Sequence, residues 1–177
     1  MALITIVDNT TGTASDMNNN NSYMESHVLQ VYTGSAFNTS ATKSSAGTDT
    51  QTNSYEFNDI SAASLVEKNY IEITVNTDTT LNGRGQVATC TLTMSSKYLT
   101  GAYVDEPAIT IGSDNHSNTI TATHSNSTSL RYFIAVTANM KINGAKIKIS
   151  TTSSVTYDSG STSCNINNIQ TILRATS

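Results

Sequence analysis

The residues in this chain that could do chemistry are few and scattered. Its three histidines, His27, His116 and His124, fall far apart or in loops. Only His116 and His124, with a short strand between them, could share a metal ion, and no HExxH helix or paired-cysteine ligand set accompanies them. Asp8 with Asp16, and Asp114 beside Asn115, carry the oxygens that a calcium site collects. No EF-hand spacing is present, and turn formation accounts equally well for Asp and Asn in loops. There is no nucleophile elbow and no Gly-rich phosphate loop. The expectation is a protein without a catalytic residue, a metal site or an obligatory cofactor.

Three groupings could bind rather than react. Tyr98 and Tyr103 stand in the loop from Ser95 to Pro107 and would be the aromatic platform for a glycan, although the chain has no Trp. Lys141, Lys146 and Lys148 would gather on one face of a hairpin. There they would either discourage edge pairing or meet an acidic patch such as Asp105-Glu106 on a neighbouring subunit. Met17, Tyr23, Met24 and Phe37 are the few large side chains in two otherwise polar stretches, and so are the expected anchors for contacts between subunits. The two cysteines, Cys90 and Cys164, are expected as buried thiols. Cys90 shares the apolar face of a strand with Ala88, Leu92 and Met94, and a free Cys packs as a small hydrophobe. A Cys90–Cys164 disulfide is the alternative.

The elements that must position these groups read as strands. The stretch from Leu130 to Val155 alternates on both sides of Asn143-Gly144, the residue pair favoured in a two-residue type I′ turn. In that register Met140 pairs with Ile147 and Ala138 with Ile149 on the core face, and Lys141 pairs with Lys146 on the other. Tyr70 to Asn76 alternates with Ile71, Ile73 and Val75 inward, Gln86 to Met94 returns beside it, and Asn167 to Arg174 is a last strand. Ser61 to Asn69 is the one candidate for a helical turn. The stretches 8–26 and 33–53 are polar, with too few apolar residues to offset the ordering cost of about 1–2 kcal/mol per residue, and read as arms or long loops. About ten strands separated by turn signals predict a single all-β domain over residues 1–177, an antiparallel, jelly-roll-like β-sandwich.

Composition narrows the functional classes. The chain has 177 residues, 37% hydrophobic and only 12% charged, with a net charge of −4. Charged residues usually make up about 25% of a globular protein, so Ser, Thr and Asn coat this one instead. No basic run suggests nucleic-acid binding. No stretch is long enough for a membrane-spanning helix, and the first residues lack the positive and apolar regions of a secretion signal. A hydroxyl-rich exterior without a visible export signal suits a virion or extracellular surface. The expected role is a non-enzymatic structural subunit of such an assembly: capsid decoration, minor capsid, fibre or filament component. It would associate with copies of itself and with other assembly proteins through edge strands and the polar arms. A carbohydrate- or receptor-binding sandwich module, contacting a cell-surface glycan, is the alternative.

Overall fold

The structure, a computed structural model, describes residues 30–84, 87–115, 122–156 and 159–174. Among them, ten strands form two antiparallel sheets. The first sheet contains β1 (Val31–Gly34), β2 (Phe37–Lys43), β4 (Tyr70–Arg84), β8 (Ala122–Ala135) and β10 (Ser159–Arg174). The second contains β3 (Thr48–Glu56), β5 (Val87–Tyr98), β6 (Val104–Asp105), β7 (Ile109–Asn115) and β9 (Ala145–Thr156). Two short helices, α1 (Ala62–Leu65) and α2 (Ala138–Asn143), sit on crossings between the sheets. No described helix is long and apolar enough to cross a membrane.

The order of the strands identifies the fold. β1 and β2 run end to end along one side of β10, pairing with residues 169–172 and 160–166 of it. β6 and β7 likewise run end to end along β5. Counting each such pair as one, the chain occupies eight strand positions. They lie in the order first, eighth, third, sixth in one sheet and second, seventh, fourth, fifth in the other. Apart from the β5–β6–β7 meander and the break between β1 and β2, every connection crosses from one sheet to the other. This interleaving of eight positions in two sheets is a jelly roll, as the strand pattern predicts.

Period-2 burial drives it. Along β9 the residues alternate without a break between buried and half-buried, with Ala145, Ile147, Ile149, Thr151, Ser153 and Val155 inward. Ile71, Ile73 and Val75 of β4 point inward as the alternation predicts, as do Ala88, Cys90, Leu92 and Met94 of β5. Phe57, Ile60 and Leu65, at and beyond the end of β3, close one end of the core. Each aliphatic or aromatic side chain of this size contributes about 1.5–3 kcal/mol on burial.

Two expectations are corrected. Leu130–Val155 is not a hairpin. β8 and β9 lie in different sheets, and the residues between them form α2. Thr137 caps its N-terminus, its Oγ1 accepting from the Met140 N–H at 3.3 Å. Gly144 closes it with φ +80°, its N–H donating to the Met140 carbonyl at 2.9 Å. A positive-φ glycine serves a helix C-terminus as well as a hairpin turn. Here any side chain would also collide, since a Cβ on Gly144 would stand 2.7 Å from the Ile60 carbonyl oxygen. Met140 and Ile147 are both buried as expected, but through different elements, and Ile142 is exposed.

The stretch 33–53 is not an arm. It supplies the second half of β1, all of β2 and the first part of β3, which are edge strands of the sandwich. Its inward side chains are too small or too polar to announce burial. Thr39 and Ala41 face the core, and Thr39 Oγ1 lies 2.5 Å from Thr151 Oγ1 of the opposite sheet. The stretch 8–26 lies outside the described residues.

Candidate functional site

The outer faces of the two sheets differ in kind. On the second sheet the outward residues are mostly hydroxyls in cross-strand ladders. Thr48 reaches Thr156 at 3.1 Å, Thr50 reaches Ser154 at 2.9 Å and Thr52 reaches Thr152 at 3.0 Å. Nothing on that ladder is apolar or charged, and it reads as a solvated face. The first sheet carries a similar polar region around Asp78, whose carboxylate accepts from Ser127 Oγ and Asn167 Nδ2, both at 2.5 Å. These two hydrogen bonds hold the Asp78 carboxyl below the usual carboxylate range.

At the other end of that face the character changes. Glu72 points outward from β4, yet it is 1% exposed. Directly opposite it on the flanking strands stand Phe133 of β8 and Ile172 of β10. Arg131 and Arg174 reach it from the diagonal positions. Arg131 donates through Nε to one carboxylate oxygen, and Arg174 Nε donates to the other at 2.5 Å. The hydrogen bond from Arg131, with that from Arg174 and the two positive charges, keeps the Glu72 carboxyl below its ordinary range despite its burial. Arg131 also lies over the Phe133 ring at 5.2 Å, and Tyr70 meets Phe133 edge-on with centroids 6.4 Å apart. Val31, Tyr70 and Phe133 are 45%, 42% and 50% exposed. The result is an apolar and aromatic patch around an arginine–glutamate–arginine cluster. Alternation in Tyr70-Ile71-Glu72-Ile73 puts Glu72 on the outer face, but its partners lie 59 and 102 residues away in sequence, so no local signal joined them. The chain's scarcity of arginine, three in all, is the only hint.

The side chains singled out from sequence do not meet at this patch. Phe37, expected as a contact anchor, packs against the core of its own sandwich. Lys141 lies on α2 and donates to Asn69 Oδ1 at 3.5 Å. It does not pair with Lys146, whose partner in the register is Lys97. Lys146 is already neutralised within the subunit by Asp59 at 3.2 Å and Glu56 at 3.5 Å. Lys148 and Lys97 both lie over the ring of Tyr103, at 4.4 and 5.0 Å. Burial, with the Glu56 carboxylate close by, pushes the Tyr103 phenol well above its usual range. Tyr98 packs against the core, its ring edge 2.6 Å from where a Cβ on Gly101 would be. Of the acidic pair suggested as a seam, Glu106 accepts from Tyr132 Oη at 2.9 Å. Met17, Tyr23 and Met24, like His27, His116 and the Asp8 and Asp16 carboxylates, lie outside the described residues. Among the described residues no group of three His, Cys, Asp or Glu side chains is placed to hold a metal.

No family model matches the chain, and no curated protein sequence matches it at a significant level. Several solved structures are weakly similar in shape. One is the infectious bursal disease virus Gx strain, 16% identical over 83% of this chain, with a TM-score of 0.35. Another is the VP2 subviral particle of that virus, 14% identical over the whole chain, with a TM-score of 0.34. A third is the carbohydrate-binding module TmCBM61 in complex with β-1,4-galactotriose, 10% identical over 81%, with a TM-score of 0.34. The chain spans 36% and 42% of the two viral chains and 88% of the module. The assignment of the fold rests on the strand order, not on these likenesses.

Proposed function

We propose that the protein is a structural subunit of a virion or extracellular assembly, and that it associates with further copies of itself through the Tyr70–Phe133 end of its first sheet. The observation that carries this reading is the composition of that patch. Arginine, tyrosine and phenylalanine are the side chains that concentrate in the centres of protein interfaces. Glu72 is already desolvated and hydrogen-bonded by both arginines there, so covering the patch strips no further water from that carboxylate. The polar remainder of the first sheet's outer face, around Asp78, Ser127 and Asn167, supplies a polar rim. The 14 residues of β8 form the adjacent sheet edge, and a long strand edge without Pro or Lys is a template for further pairing. Met17, Tyr23 and Met24 of the stretch 8–26 belong to the same proposal as a second contact.

Phe133→Ser tests it without placing a second carboxylate opposite Glu72. The residue is half-exposed, so the variant, its fold monitored by circular dichroism, is expected to lower the mass of the assembled species in light scattering. Assembly unchanged from the parent would overturn the role of the patch. A parent that stays monomeric at all concentrations, alone and with its particle components, would overturn the function itself.

A further inference from the structure

We infer that Cys90 and Cys164 form a disulfide that fastens the two sheets of the sandwich together in oxidising surroundings. The cysteines lie on the inner faces of opposite sheets, Cys90 on β5 and Cys164 on β10, and neither is exposed at all. The sheets come close here. Cα atoms of β5 and β10 approach within 8 Å, and Cys90 Sγ reaches the main-chain oxygen of Ser163, next to Cys164, at 3.7 Å. Cys164 thus follows directly on the residue whose carbonyl Cys90 touches, and the two thiols are close enough to influence each other's ionisation. Both sulfurs are free in this structure, and the side chain of Ser153 is the other neighbour of Cys90, at 3.7 Å.

Thiol–disulfide exchange begins with a thiolate. Whichever of the two cysteines ionises first displaces one thiol from an external disulfide such as oxidised glutathione and forms a mixed disulfide. The other, losing its proton to solvent or base, attacks the protein sulfur of that mixed disulfide and releases the second thiol. One external disulfide is reduced to two thiols and the two cysteines are oxidised to one bond. Because both sulfurs are enclosed, exchange occurs while the sheets are still closing or transiently apart, and the finished bond is shielded from reductants.

The bond would close the chain from 90 to 164, a loop long enough to restrict the unfolded state strongly. The test uses the full chain, unfolded and then refolded with oxidised glutathione, followed by denaturation and alkylation. The expected product is a monomer lacking two hydrogens, with no alkylated cysteine and no glutathione adduct. Its Tm should lie roughly 10 °C above that of the reduced protein, and dithiothreitol after unfolding should reverse both changes. Cys164→Ala and Cys90→Ala, each folded by circular dichroism, should show no such Tm shift on oxidation. Two alkylatable thiols after oxidative refolding, a bond only between chains, or an oxidised monomer with a lower Tm would each overturn the inference.

Discussion

The interior of the sandwich has two regions built from the same strands. Toward the α1–α2 end, β4, β5, β9 and β10 contribute Ile71, Ile73, Leu92, Met94, Ile147, Ile149 and Leu173, with Phe57 and Met140 closing over them. Further along the same strands come Thr77, Thr79, Cys90, Thr151, Ser153 and Cys164, joined by Thr39 from β2, all buried to at least nine-tenths. The first region is held by apolar burial. The second adds polar contacts across the gap to the burial of Ala41, Leu81, Ala88 and Val155: Thr39 Oγ1 to Thr151 Oγ1 at 2.5 Å and Ser153 Oγ to the Thr39 carbonyl at 3.0 Å. A buried hydroxyl stabilises only when it is paired, so the two regions should respond oppositely to the same kind of substitution.

The largest effect belongs to the apolar region. Ile73→Ala should lose about 2–5 kcal/mol of unfolding free energy, because it opens a cavity among residues with no freedom to collapse. Urea denaturation measures it. A loss below about 1 kcal/mol would mean that this end is loosely packed.

In the hydroxyl region the matching experiment is a pair. Thr151→Val alone strands the Thr39 hydroxyl and should cost about 1–3 kcal/mol. Adding Thr39→Val removes both partners and should return most of that loss, a coupling that a double-mutant cycle reads directly. Additive losses would show that the short contact contributes nothing specific.

Glu72 sharpens the comparison from outside the core. Glu72→Gln should cost about 1.5–3 kcal/mol near neutral pH, the worth of hydrogen bonds to a charged group. Its folded carboxyl is held below the ordinary value of 4.5, so the unfolded state takes up a proton first as the pH falls. The contribution is therefore full above about pH 4.5 and declines below it as the folded carboxyl titrates in turn. The stability difference between parent and variant, followed by denaturation from pH 7 downward, should narrow in that window. A constant difference would assign the loss to packing.

The smallest effect has the opposite sign. Thr77 Oγ1 is buried without a hydrogen-bond partner. Thr77→Val keeps the shape and removes an unmet polar group, so it should leave stability unchanged or raise it by up to about 1 kcal/mol. Thermal unfolding checks this, and a destabilised variant would reveal a bound water.

These two regions also explain what the sequence could convey. Alternating Ile and Val marked the first half of β4 and all of the apolar part of β9, and alternating Ala, Cys, Leu and Met marked β5, because period 2 in apolar side chains has one simple cause. The rest of β4, from Thr77 to Arg84, carries mostly polar residues and was not legible as strand. β2 was illegible because its inward residues, Thr39 and Ala41, resemble its outward ones, and β3 because none of its side chains is buried, so no face stands out. Asn143-Gly144 misled because φ +80° at Gly144 satisfies two different endings, and Thr137, the cap that decides between them, also suits a strand. The Glu72 patch could not be read at all, since it needs β4, β8 and β10 side by side before its residues become neighbours.

The position of β10 has a consequence for synthesis. It lies between β4 and the β1–β2 edge in space, yet it follows both in the chain by more than seventy residues. While translation proceeds, β1 and β2 emerge with no strand to pair with, and β4 has one open side for as long as β10 is still inside the ribosome. Non-local pairing of this kind folds slowly. The nascent chain therefore carries unpaired strand edges until β10 has emerged, and such edges are prone to pair with the wrong strand before the sandwich can close.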